Sequence, residues 1–384
     1  MDNILVGGKL IGKGSYGYVY YPGFNCKGKY NKYNKKISKV FFSTDSKKEI
    51  KSELYINKII NKIKNNDKWC NIWIKQCKSP SYDILYKQDI DIQETLEYIS
   101  KTDFNKNSYM LQGTYGGISF TDYIHNYIKP TLSNSVLYKR LLIIIQLMEP
   151  LFLGLKELYN NNIIHCDIKS DNITVDSDGC KFIDFGLASK LNNENHFKKR
   201  SMSEFISDRI YPSYPYEYIY LFNDKYIMNS ELNDYKLNIY RELHDRYINI
   251  HETIFKRKQI NNYLISLIER IIRDESGFNN EKKKIISLLD TYSLGVLIPS
   301  ILCIIFNKHK NKLKNLLNNN KIKSFIELFY VMSEPDNYER IDPNEAYRRY
   351  LELKLLYLNT NKKTNRQTKY KRNNRRTKHK RNKK

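Results

Sequence analysis

The sequence predicts an α+β chain, with a small β-rich N-terminal part carrying one main helix and a larger helical part behind it. Three observations carry this. Short clusters of β-branched and aromatic residues, punctuated by Gly, Pro and Asn, fill residues 5–42. Apolar residues then recur at helical spacing over 47–63 and again from 119 onward. A length of 384 residues at 41% hydrophobic and 13% aromatic supplies enough apolar surface for a sizeable core.

In chain order, residues 5–10, 16–21 and 37–42 read as strands. Over 47–63, Ile50, Leu54, Ile56, Ile59, Ile60 and Ile63 share one helical face. Residues 64–107 are mixed and assign no strand. Residues 109–111 read as a strand ending in a connector rich in glycine (Gly113, Gly116, Gly117). Helices follow over 119–128 and 136–160, and apolar pieces at 173–175 and 182–183 suggest a hairpin. Residues 222–284 keep a helical period with almost no Gly or Pro. Of two long apolar runs, 141–155 is interrupted by Glu149-Pro150 and 296–306 is short. Both fall below the roughly 18 residues a membrane span needs, so core helices are expected and no span. The start, Met1-Asp2-Asn3, lacks the basic opening of a secretory signal.

Lys and Arg number 66 against 41 Asp and Glu, a net charge of +25. Thirteen of the cations crowd into 360–384, which has no acidic residue and a single aromatic, Tyr370. Such a segment cannot pack, and 358–384 reads as a basic, disordered tail. It suits nucleic acid or an acidic partner, a nuclear-import address, or simple solvation. Tyr (33) exceeds Gly (15), and Asn, Lys and Ile are abundant, as AT-rich codons impose. Six scattered cysteines (Cys26, Cys70, Cys77, Cys166, Cys180, Cys303) form no C-x-x-C pair. Neither a disulfide framework nor a zinc site is expected, and an intracellular, reducing compartment is.

Two segments carry chemistry. Gly12-Lys13-Gly14-Ser15-Tyr16-Gly17-Tyr18-Val19 lies between two expected strands, and its glycines let backbone amides approach phosphate oxygens. A strand follows instead of a helix, which argues against a dinucleotide fold. Alone the pattern is weak, and a plain glycine turn explains it. Far more specific is His165-Cys166-Asp167-Ile168-Lys169-Ser170-Asp171-Asn172 with Asp184-Phe185-Gly186 beyond it. Two carboxylates and an amide oxygen around one site suit a hard cation bound with a polyphosphate.

Together these segments resemble the protein kinase family. The resemblance covers about residues 4–357 and implies a two-lobed fold, with an N-lobe near 4–112 and a C-lobe near 115–357. It implies ATP and Mg²⁺ as cofactors. Asp167 would be the catalytic base and Lys169 would neutralise the transferred phosphoryl group. Asn172 and Asp184 would hold Mg²⁺. Ile11, Gly12, Lys13, Gly14, Ser15, Tyr16, Gly17 and Val19 would cover the nucleotide. Lys39 would hold its phosphates, paired with Glu53 (or Glu49), and Gln112 and Thr114 would form the hinge behind Leu111. Asp290-Thr291-Tyr292-Ser293-Leu294-Gly295 is similar to D-x-W-S-x-G. Tyr214-Pro215-Tyr216-Glu217 stands in the place of A-P-E, with Arg340 as the partner of Glu217.

The chain departs from the family in several places. Cys166 replaces the Arg of H-R-D, leaving Lys198, Lys199 and Arg200 as candidate anion binders. Ile37 stands where Ala is usual. The 73 residues from Glu217 to Asp290 imply a helical insertion over about 222–284. Lys169 and Ser170 imply serine/threonine specificity, and Tyr-Pro-Tyr-Glu followed by Asp290 and Arg340 implies protein substrates. The composition and the Tyr-Pro-Tyr-Glu variant resemble kinases of large DNA viruses, which implies host cytoplasm, nucleus or virion. The alternative reading is a pseudokinase scaffold with a basic, nucleic-acid-binding tail. Oligomeric state leaves no trace in the sequence.

Overall fold

The computed structural model describes residues 8–14, 17–26, 36–42, 46–87, 90–207, 213–215, 218, 250–256 and 280–358. Ser15, Tyr16, Tyr216 and Glu217, most of the 222–284 segment, and residues 359–384 lie outside the described residues. The chain divides into two compact units, Met1–Phe120 with Ile163–Lys190, and Thr121–Asn162 with Leu191–Lys384.

In the first unit five strands form an antiparallel sheet: β1 (Lys9–Gly14), β2 (Gly17–Tyr21), β3 (Lys36–Phe41), β4 (Trp73–Lys78) and β5 (Tyr109–Thr114). Their order is β1-β2-β3-β5-β4. β1 runs on through Gly14, so Gly12 and Gly14 are themselves strand residues, paired with Val19 and Gly17, while residues 5–7 of the expected strand lie outside the described residues. β5 runs on through Gly113, which the sequence assigned to a connector.

Alternation along the strands gives the sheet two different faces. Phe41 and Leu111 pack with Ile50 of helix α1 (Ser46–Ile60). Tyr20, Val40 and Met110 point to the other face, beneath Leu85, Ile92, Leu96 and Phe104. Those four come from three short helices between β4 and β5, Tyr82–Tyr86, Ile90–Glu97 and Lys101–Asn107. Each spans about two turns or less, too few for a 3.6-residue period to stand out in the mixed stretch 64–107.

Residues 163–190 fold with this unit rather than with the helices, unlike a simple division near 112–115. β6 (Ile118–Ser119), β8 (Ile173–Asp176) and β9 (Gly179–Phe182) form a second sheet in the order β6-β8-β9. β7 (Ile163–Ile164) pairs with β10 (Ser189–Lys190). Backbone bonds from Phe182 N to Trp69 O and from Asn71 N to Phe182 O, both 2.9 Å, tie β9 to the chain just before β4.

The cysteine expectation is corrected in one respect. Cys26 and Cys77 form a disulfide, with Cα atoms 5.2 Å apart. Fifty-one residues separate them in sequence. Pairing of β3 and β4 with the same strand, β5, brings β4 near the loop after β2, which spacing alone does not reveal.

The second unit is helical. The expected helix over 136–160 is two, Asn134–Leu147 and Glu149–Asn160, because Pro150 lacks the N–H that would continue the first. The run 296–306 belongs to Leu289–Ile305, a helix buried along nearly its whole length. Among the described residues no helix is long and apolar enough to cross a membrane. Further helices span Glu194–Ser207, Lys310–Leu317, Asn320–Met332 and Pro343–Tyr357. The last is started by Asp342, whose side chain accepts from Glu345 N at 3.0 Å, with Pro343 in the first turn.

Candidate active site

Strand register assembles the first part of the site. Gly12 pairs with Val19, Val19 with Lys39, and Lys39 with Leu111, one row across four strands. Directly opposed residues share a face, so Val19, Lys39 and Leu111 point the same way, toward α1. Gly12 has no side chain in this row, and a Cβ there would meet only Val19, at 3.8 Å. Ile11 is exposed, at a register shift in β1.

On that face the Lys39 ammonium lies between two carboxylates. Its Nζ is 3.7 Å from Glu53 Oε2 and 3.4 Å from Asp184 Oδ1. Glu53, one of two helix acids that spacing allowed, forms a pair with Lys39; the side chain of Glu49 lies outside the described residues. Burial pushes the Glu53 carboxyl up to about 7, against the pull of Lys39, with the Asp184 carboxylate adding to the rise. Asp184 shifts the other way. Burial acts to raise it, but Lys39, the Gly186 N–H and His165 outweigh that and hold it below the usual carboxylate range. Its backbone is left-handed, at φ 58° and ψ 73°, and its Oδ1 also accepts from Gly186 N. A non-glycine residue held there costs of order 1 kcal/mol, the kind of strain that concentrates at functional sites.

The second part is a loop between β7 and β8. Asn172 Nδ2 donates to Asp167 Oδ2 at 2.7 Å and to its main-chain oxygen at 3.0 Å. Lys169 Nζ is 3.0 Å from the same Oδ2. Asp167 and Asn172 are buried. Cys166, also buried, takes a left-handed φ of 64°.

Ile183 joins the two parts. Its N–H donates to Asn172 O at 3.0 Å, and its carbonyl lies 3.2 Å from His165 Nε2. The His165 ring in turn packs on Phe185, centroids 4.6 Å apart. Lys39, Glu53 and Asp184 are therefore linked to Asp167, Lys169 and Asn172 inside the first unit by the chain step from Ile183 to Asp184 and the hydrogen bond of Ile183 to Asn172 O. His165 and Ile183 had no role assigned from sequence, and only the place of His165 at the head of the motif hinted at one.

Two expected positions stand apart. The Gln112 side chain points to the opposite face of β5 and donates to Phe24 O. Thr114 ends β5, exposed. In the second unit Arg340 donates to Glu334 O at 2.8 Å, and its guanidinium lies over the Tyr292 ring at 5.1 Å. Its expected partner Glu217 is outside the described residues. Arg200 donates to Tyr214 Oη at 2.8 Å, while Lys198 and Lys199 are exposed.

The donor set fits a hard divalent cation. Among the described residues, Asn172 commits its nitrogen to Asp167 and leaves Oδ1 available, and Asp184 engages only Oδ1. Two oxygens of this kind, completed by phosphate and water, are what Mg²⁺ takes. Among the described residues no group of three or more His, Cys, Asp and Glu forms a closed protein cage.

Residues 5–213 match the protein kinase domain. The chain belongs to the protein kinase family. Shorter stretches are similar to individual kinases. One of 55 residues is 42% identical to the CTD kinase subunit alpha of Saccharomyces cerevisiae, covering 14% of this chain and 10% of that protein. Another, of 50 residues, is 48% identical to mitogen-activated protein kinase kinase kinase 3 of Arabidopsis thaliana, covering 13% and 8%. A third, of 51 residues, is 49% identical to a probable serine/threonine-protein kinase of Dictyostelium discoideum, covering 12% and 11%. The chain spans about a tenth of the length of these curated relatives. The β-rich first unit and helical second unit are those of a two-lobed kinase fold.

Proposed function

We propose that the chain is a serine/threonine protein kinase, transferring the γ-phosphoryl group of ATP to protein hydroxyls, with residues 4–357 as its kinase domain. The observation that carries this is the single assembly joining the Lys39–Glu53–Asp184 cluster to the Asp167–Lys169–Asn172 loop through Ile183. Serine/threonine specificity rests on Lys169 and on the similarity to the probable serine/threonine-protein kinase of Dictyostelium discoideum.

The geometry supports a role for each residue. Asn172 and Lys169 both engage Asp167 Oδ2, so Oδ1 remains to accept the substrate hydroxyl proton. The bond formed joins the substrate oxygen to the γ-phosphorus, and the bond broken is that to the β–γ bridging oxygen, which leaves with ADP. Lys169 is placed to neutralise charge on the transferred group. Lys39, held by Glu53, would anchor the α- and β-phosphates. Asn172 Oδ1 and Asp184 would hold Mg²⁺, which when bound neutralises charge on the phosphates. Because the transition state of this transfer is loose, positioning and fixed charge supply most of the acceleration.

The test is label transfer from ATP to generic basic and acidic proteins by the full chain, beside Asp167→Ala and Lys39→Ala. Transfer by the unaltered chain that disappears in both variants is expected. Nucleotide binding without any turnover would make this a pseudokinase instead.

A further inference from the structure

The three helices between β4 and β5 lie on the sheet face opposite Lys39, away from the assembly just described. What they touch gives them a role in it. Their buried Leu85, Ile92, Leu96 and Phe104 form one apolar cluster with Tyr20, Phe24, Val40 and Met110, and Leu10 and Tyr18 pack at its margin. Leu10 and Tyr18 come from β1 and β2, the two strands of the glycine-rich hairpin.

That hairpin lies at one edge of the sheet. β1 is an edge strand, paired on one side only. Gly12, Gly14 and Gly17 contribute no side chains to either face, so the end of the hairpin has little packing of its own. Tyr18 lies within this stretch, opposite Lys13. Its ring meets Phe42 edge to face at 4.8 Å, and Phe42 stacks on Phe104 of Lys101–Asn107 at 5.9 Å. Its hydroxyl is 2.5 Å from Thr95 Oγ1 in Ile90–Glu97. A hydrogen bond between residues 77 apart thus joins the hairpin directly to the inserted helices.

We propose that the inserted helices are a positioning clamp for the glycine-rich hairpin, with Tyr18 and Thr95 as its latch. Tyr18 and Thr95 are positioning residues: they set where the hairpin amides stand over the nucleotide phosphates and touch neither nucleotide nor substrate. The inference rests on the kinase reading for its consequence, tighter phosphate binding, but not for the contact itself.

Two measurements on the full chain test it. The first is amide hydrogen exchange without nucleotide, in Thr95→Val, which keeps the shape and loses the hydroxyl, and in Thr95→Ser, which keeps the hydroxyl. Faster exchange in β1 and β2 is expected for Thr95→Val and near-normal exchange for Thr95→Ser. Unchanged exchange in Thr95→Val overturns the latch. The second compares affinity for ATP with affinity for adenosine, which has no phosphates. Thr95→Val and Tyr18→Phe should each weaken ATP binding by about two- to tenfold, the span of one net hydrogen bond, and leave adenosine unaffected. The double variant should lose no more than either single one. Equal loss for both ligands, or additive losses, would show plain destabilisation of the unit and overturn the proposal. Failure of the unaltered chain to bind ATP at all would overturn the kinase reading instead, and hydrogen exchange would then decide the latch alone.

Discussion

The side-chain nitrogen of Asn172 reaches two oxygens of Asp167 at once, the carboxylate at 2.7 Å and the main chain at 3.0 Å. One amide thus fixes both the position of the loop and the direction of its carboxylate. Asn172→Asp removes the donor and sets a second negative charge against the first. A fall in kcat of about 10²-fold or more is expected, the scale of a displaced general base. Both groups are buried, so the midpoint of thermal unfolding should fall as well. Retained kcat would show that Asp167 is oriented by something else.

Glu53 should make stability depend on pH in a particular direction. Its ordinary value is 4.5 and burial raises it to about 7 in the folded chain. Between those values the folded state holds a proton that the unfolded state has released. Stability from this group is therefore complete below about pH 4.5 and is lost as pH rises through about 7. Glu53→Gln should flatten that part of a denaturant-stability profile. The charged Lys39–Glu53 pair fills over the same rise, so nucleotide affinity should climb through about pH 7 in the unaltered chain and not in Glu53→Gln. Parallel profiles for the two proteins would refute this.

Gly295 is required by packing. An added Cβ would stand 2.9 Å from Met332 Cβ and 3.0 Å from Ser333 N, at the end of a neighbouring helix. Backbone that close cannot yield cheaply. Gly295→Ala is expected to cost about 1–3 kcal/mol in equilibrium unfolding, the range for overpacked cores. A neutral result would mean that the two helices separate without penalty.

Tyr350 closes the second unit. Its hydroxyl donates to Ile145 O at 3.0 Å, and its ring stacks on Phe152 with centroids 4.3 Å apart. Tyr350→Phe keeps the stack and removes one of two donors to Ile145 O, the other being Met148 N at 3.2 Å, at a cost of about 0.5–1.5 kcal/mol. Chemical denaturation of the two proteins measures it, and equal midpoints and slopes would exclude the bond as a contributor.

Wherever local rules suffice, the fold was legible in sequence. The glycine-rich hairpin, the helix containing Glu53, the hairpin of β8 and β9 and the buried helix around Val296 were each readable from period and punctuation. The candidate groups Asp167, Asn172 and Asp184 were also readable, because they are close in the chain and the chemistry proposed for them is carried by residue type. The break at Met148 was half visible: Pro150 disqualified a membrane span, yet its effect on the helix itself needed the backbone. The inserted helices were missed for want of length.

Sequence by itself determined the longer elements and their order, and which donors and acceptors the proposed site has to offer. Tertiary structure alone decided which of them meet. Glu49 and Glu53 are one helical turn apart and share a face, so spacing cannot choose between them, whereas packing of α1 on the sheet brings Glu53 to Lys39. Gln112 is turned away from Lys39 by strand alternation combined with register. Cys26 meets Cys77, and Tyr18 meets Thr95, only because strand pairing and buried apolar faces draw distant segments together. Local preference is set within a few residues; partnership across tens of residues depends on the whole packed core.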